Sequence, residues 1–148
     1  LIFIDTGAFL ARYLERDQYH QVATEGWREL RSSLHRCATS NFVLDETFTL
    51  LARRASYPFA AERARQLLAS DVLEILRPDA EDELEALRRF EKFADQGISY
   101  TDCISFTLMH RHRLELAFTF DRHFTYAGFI HWPEGMFQVH EPVAEYDA

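Results

Sequence analysis

Residues 1–7 read LIFIDTG: four apolar residues, then an acid, a hydroxyl and a glycine. A run this short and this apolar predicts a strand covered on both faces. Asp5 closes it, and Thr6 and Gly7 make a turn into a helix over residues 8–15. Working outward, the same alternation repeats. Val22, Trp27, Leu30 and Leu34 fall at helical spacing within residues 18–36. Cys37–Ser40 is a short strand candidate, and Asn41 is an N-cap candidate for a helix over residues 42–55. Pro58 suits the first turn of a helix running to about residue 69. Residues 71–76 alternate as a strand that Pro78 ends. Helical patterns follow over residues 79–94 and 99–113, separated by Gly97. A strong strand is expected at residues 116–121 and a further one at residues 136–140. Strands alternating with helices predict an α/β sandwich around a mostly parallel sheet, in one domain over residues 1–148.

The 148 residues are 47% hydrophobic, enough for one sizeable core and too apolar for a disordered chain. Lys plus Arg is 16 and Asp plus Glu is 24, a net charge of −8. Taken alone, that balance opposes a general nucleic-acid binder, because phosphate backbones favour a basic surface. Cys37 and Cys103 are far apart and form no paired motif, which fits buried thiols in a reducing compartment. No apolar run reaches the ~20 residues of a membrane span. The first residues lack a basic flank and are broken by Asp5, unlike a secretory signal. A soluble, cytoplasmic protein is expected.

Most acids have a plain explanation. Asp79, Glu81, Asp82, Glu83 and Glu85 open a helix, where the dipole favours them on a solvated face. Four others stand apart. Asp5 and Asp121 each end an apolar strand, and ligand crevices of open α/β sheets lie beyond those ends. Thr119 precedes Asp121 by two residues and shares its strand face. Asp102 sits in Ser99-Tyr100-Thr101-Asp102, which has the form of a capping box but still places a carboxylate at a positive helix end. Glu46 lies in the middle of the 42–55 helix, three or four residues from Phe42, Thr49 and Leu50. Asp45 points about 100° away from it, so one of the pair is free to be surface. An unpaired carboxylate on an apolar face costs several kcal/mol, and a cation shared with other acids removes that cost. Four carboxylates without matching lysines suggest a hard-cation site for Mg2+ or Mn2+, suited to phosphodiester hydrolysis.

At this point three separated motifs can be set side by side. They are LIFIDTGAFLARYLERD at 1–17, TSNFVLDETFTLLARR at 39–54 and SYTDCISFTLMHRHRLELAFTFDRHFTYAGF at 99–129. With them the chain resembles a PIN-domain ribonuclease of the VapC toxin type over nearly its whole length. The resemblance implies a PIN-like α/β/α sandwich and an endoribonuclease dependent on Mg2+ or Mn2+, cutting structured RNA through a metal-activated water. It maps the acidic quartet onto Asp5, Glu46, Asp102 and Asp121, with Glu46 preferred to Asp45, and the small hydroxyl positions onto Thr6 and Thr119. Metal binding is expected from the quartet, with Glu46 also orienting the attacking water. The resemblance further implies a toxin held by a small antitoxin protein, a homodimer, and a transfer or ribosomal RNA substrate.

All bases but Lys92 are arginine, which suits bidentate phosphate contacts. Arg12, Arg53, Arg54 and Arg122 lie nearest the acid motifs in sequence and are the substrate-contact candidates. His110 and His112 diverge on a helix and do not suggest zinc, while His123 is close enough to Asp121 to tune pH dependence. Asp5-Thr6-Gly7 also fits the aspartic-protease signature, but that fold is all-β and this chain is rich in helical patterns. A dehalogenase-like phosphatase would want an acid where Gly7 stands. A PIN-like domain used only for binding is opposed by the intact quartet. With the quartet and the acidic helix start set aside, the remaining charges nearly balance, so the total of −8 no longer opposes a nuclease.

Overall fold

The computed structural model describes residues 1–133. Among these residues five strands form one sheet: β1 (Ile2–Ile4), β2 (Cys37–Ser40), β3 (Leu73–Leu76), β4 (Leu116–Phe118) and β5 (Ile130–His131). Their order is β3-β2-β1-β4-β5, and every neighbouring pair is parallel. Seven α-helices connect them: α1 (Thr6–Tyr13), α2 (His20–Ser32), α3 (Asn41–Arg54), α4 (Tyr57–Leu68), α5 (Ala80–Lys92), α6 (Tyr100–Arg111) and α7 (His123–Tyr126). This is the expected α/β/α arrangement.

The sequence explains the centre of the sheet. Ile2, Phe3 and Ile4 are all fully buried, as a strand with a neighbour on each side and helices on both faces requires. Phe9, Phe106, Phe118 and Phe124 fill the layers around it, each contributing about 1.5–3 kcal/mol by leaving water. Helix α2 comes close to the sheet at Gly26, where a Cβ would stand 2.7 Å from the buried Phe118 ring.

Several local expectations shift. Thr6 and Gly7 belong to α1 itself, with Asp5 at its N-cap position. Helix α3 is capped by Ser40, whose hydroxyl accepts from the Val43 N–H at 3.0 Å, and Asn41 is its first residue. Strand β4 stops at Phe118, so Thr119 and Asp121 lie in the connection to α7, a short helix that periodicity could not reveal. Asp82 is not solvated. It forms a capping box with Asp79 and pairs with Arg111 at the far end of α6. The fifth strand is Ile130–His131, and the strand expected at residues 136–140 lies outside the described residues. No helix among the described residues is long and apolar enough to cross a membrane.

Candidate active site

Strand order reverses between β1 and β4, because the chain runs outward from β1 to β3 and then returns to β1's other side. Crevices open beyond the carboxyl ends of strands at such a point. Here that crevice is a cleft of about 440 Å³, whose lining includes Asp5, Thr6, Glu46, Asp102, Asp121 and His123. The quartet comes from four separate segments: the end of β1, the first half of α3, the first turn of α6 and the loop after β4.

Each carboxylate is left available by its local structure. Asp5 occupies the N-cap position of α1 but makes no side-chain capping bond. Its Oδ2 accepts from the Thr119 hydroxyl at 2.8 Å. That hydroxyl accepts in turn from the Asp121 N–H at 3.0 Å. Only half of the capping box at α6 forms: Ser99 Oγ accepts from the Asp102 N–H at 3.1 Å. The Asp102 carboxylate instead faces the other acids. Glu46 is half-buried on the cleft wall, whereas Asp45 is exposed and does not line it. The Asp121 Oδ1 accepts from the His123 N–H at 2.8 Å.

Electrostatics show the crowding. Burial pushes the Asp5 carboxyl up to about 7, with the Asp121 charge adding to it and the Thr119 hydroxyl and Thr6 N–H opposing it. Burial also raises Asp102 far above the usual carboxylate range, followed by the charges of Asp5 and Asp121. The N-termini of α1 and α6 present partial positive charge here, yet desolvation and like charge prevail. A cluster that must hold protons at neutral pH when alone is one that a multivalent cation would relieve. The Thr6 hydroxyl is buried on the same cleft without a hydrogen-bond partner, and Asp102, Asp121 and His123 bring one ligand atom each within 4.8 Å of one another.

The other predicted residues are placed elsewhere. Arg12 lies over the Trp27 ring at 4.5 Å and the Tyr13 ring at 5.1 Å, lining a separate cavity with Phe9 and Cys37. Arg53 and Arg54 are exposed in the last turn of α3, and Arg54 borders another depression beside Tyr13 and Phe59. Arg122 is exposed between Asp121 and His123. None of these four arginines lines the acidic cleft. His110 rests on Phe129 at 4.9 Å and His112 is exposed, and neither joins a metal-ligating group among the described residues. His123 joins the site more intimately than its distance in sequence foretold. Its ring Nδ1 is 3.1 Å from Asp121 Oδ1 and 3.8 Å from Asp102 Oδ2. The only sequence signal was its position two residues after Asp121.

Comparison with known proteins agrees with this fold. The sequence profile of the PIN domain matches residues 2–130. The chain is 32% identical over 130 residues to the 23S rRNA-specific endonuclease VapC20 of Mycobacterium tuberculosis, in strains CDC 1551 / Oshkosh and ATCC 25618 / H37Rv. That match covers 88% of this chain and 96% of the relative. The crystal structure of M. tuberculosis VapC20, described as a sarcin-ricin loop cleaving toxin, superimposes with a TM-score of 0.81 at 31% identity. It covers 88% of this chain and 97% of that one. By profile, sequence and fold together, the chain belongs to the PIN-domain family and to its VapC-type ribonucleases.

Proposed function

We propose that this protein is a divalent-metal-dependent endoribonuclease, the toxin of a toxin–antitoxin pair acting in the cytoplasm. The observation that carries it is the convergence of Asp5, Glu46, Asp102 and Asp121 on one cleft at the β1–β4 switch point. The donors fit Mg2+ or Mn2+: carboxylate oxygens dominate, they repel one another when alone, and the buried Thr6 hydroxyl has no other partner. Asp5, Asp102 and Asp121 would hold the ion, with Glu46 completing the set. When bound, the ion supplies Lewis acidity to the attacking water and the leaving oxygen.

The chain's own residues do the positioning. Thr119 fixes the Asp5 carboxylate and the Asp121 main chain together. Glu46, on the cleft wall, orients the attacking water and takes up its proton. Attack by water needs no 2′-hydroxyl, so the products carry a 5′-phosphate and a 3′-hydroxyl. Substrate arginines are sought at the cleft rim, where Arg122 adjoins Asp121. The relative's specificity for 23S rRNA makes ribosomal RNA the first substrate to test, ahead of transfer RNA. An antitoxin is expected to block the cleft with a basic side chain, and the toxin to act as a homodimer.

The deciding experiment incubates purified protein with ribosomes and with transfer RNA, with Mg2+ or with chelator, and maps the new ends. Metal-dependent cuts with 5′-phosphates, absent for Asp5→Ala, are the expected result. Cleavage that survives chelation, or 2′,3′-cyclic phosphate ends, overturns the mechanism.

A further inference from the structure

We infer that His123 is itself a ligand of the cation in this cleft, through Nδ1, and that this nitrogen shifts the site's preference from Mg2+ toward Mn2+. The inference rests on the metal-dependent nuclease proposed above and adds a residue outside the acidic quartet.

Three observations lead to it. First, the spacing suits a shared ion. Ligands held at about 2.1 Å in an octahedron stand roughly 3 Å apart along an edge and about 4.2 Å apart across the ion. Nδ1 is 3.1 Å from Asp121 Oδ1 and 3.8 Å from Asp102 Oδ2, within that range for both partners. Second, Nδ1 is shut off from solvent yet makes no hydrogen bond, although a carboxylate oxygen lies within contact distance. The in-plane direction of the nitrogen is therefore not aimed at that oxygen. Two neighbouring ligands of one ion have this relation, because each points at the ion, about 45° off the line joining them. A plain His–Asp hydrogen bond would have the opposite geometry. Third, the ring has a fixed anchor. The His123 N–H donates to Asp121 Oδ1 at 2.8 Å, and the next residue, Phe124, is fully buried in the core.

The chemical consequence is selectivity. Mg2+ holds its waters tightly and favours oxygen, whereas first-row transition ions accept imidazole readily. Replacing one oxygen by Nδ1 weakens the site for Mg2+ relative to Mn2+.

Pulsed electron paramagnetic resonance of the Mn2+-loaded protein tests this directly, with calorimetric titration of each metal beside it. Wild type is expected to show coupling of Mn2+ to a ¹⁴N nucleus. His123→Gln loses that coupling and about tenfold in Mn2+ affinity, with a smaller loss for Mg2+. Wild-type protein that binds Mn2+ and cuts RNA without ¹⁴N coupling overturns the assignment of His123 and leaves the nuclease standing. Coupling that persists in His123→Gln, or equal losses for both metals, also overturns it. Failure of wild type to bind either metal removes the metal site and this inference together.

Discussion

Thr119 and Asp5 are 114 positions apart in the chain, and the hydroxyl of one donates to the carboxylate of the other across 2.8 Å. The same oxygen receives the Asp121 N–H, so one small side chain ties two of the four acids to fixed positions. Strands β1 and β4 are in register through Ile4 and Phe118, which is why the residues beyond them meet.

Thr119→Val keeps the shape and removes both bonds. Partners that orient ligands typically matter by about 10–100-fold, so metal affinity and cleavage should each fall by about that factor. Thr119→Ser restores most of the loss. Metal titration and initial rates on the same preparations check it.

Asp5→Asn should abolish cleavage and, without metal, make the protein more stable at neutral pH. The substitution removes a buried charge that burial and Asp121 both oppose. A melting temperature higher by a few degrees is expected, the shift produced by ~1 kcal/mol in a domain of this size. An unchanged or lower melting temperature in chelator contradicts the electrostatic description.

The pH dependence has a definite sign. An unfolded aspartate titrates at ~3.9, and burial pushes the folded Asp5 carboxyl up to about 7. Between those values the folded protein holds a proton that the unfolded chain has lost. Asp5's contribution to metal-free stability is therefore fully present below about pH 4 and is lost as the pH rises to about 7. Asp102, raised further, extends the fall to higher pH. The gap between Asp5→Asn and wild type should open across that window and close again when Mg2+ is added. Metal affinity should weaken as the pH falls below about 7, because protons compete for the same oxygens.

Gly26→Ala places a methyl 2.7 Å from the Phe118 ring, which is fully buried and packed against Trp27, Phe120 and Trp132. Overpacking of this kind costs about 1–3 kcal/mol. Chemical denaturation of the metal-free protein should report that loss as a lower midpoint.

The sequence made the acids legible because an acid ending an apolar run has few innocent explanations. Asp5 and Asp121 follow strands, and Glu46 interrupts an apolar helix face; all three line the cleft. Direction of long side chains was not legible. Leu10 lines the cleft, but Arg12, two residues and about 200° further round α1, turns to Trp27 instead. Pairings between distant elements were hidden too. Arg111 and Asp82 meet only because α5 and α6 pack together, so Asp82 looked solvated. Sequence alone makes His123 a neighbour of one acid, whereas the short helix α7 brings its ring within 3.8 Å of two.

The position of β1 at the middle of the sheet has a consequence for synthesis on the ribosome. β1 precedes the other four strands in the chain but acquires its second neighbour only when β4 emerges, and Thr119 and Asp121 follow directly after it. Until then Asp5 lacks the hydroxyl that orients it and one of the acids it works beside. A nascent chain that has not yet reached residue 119 thus has no assembled cleft. The four acids can meet only after residue 121 has been made, however early Asp5 itself emerges.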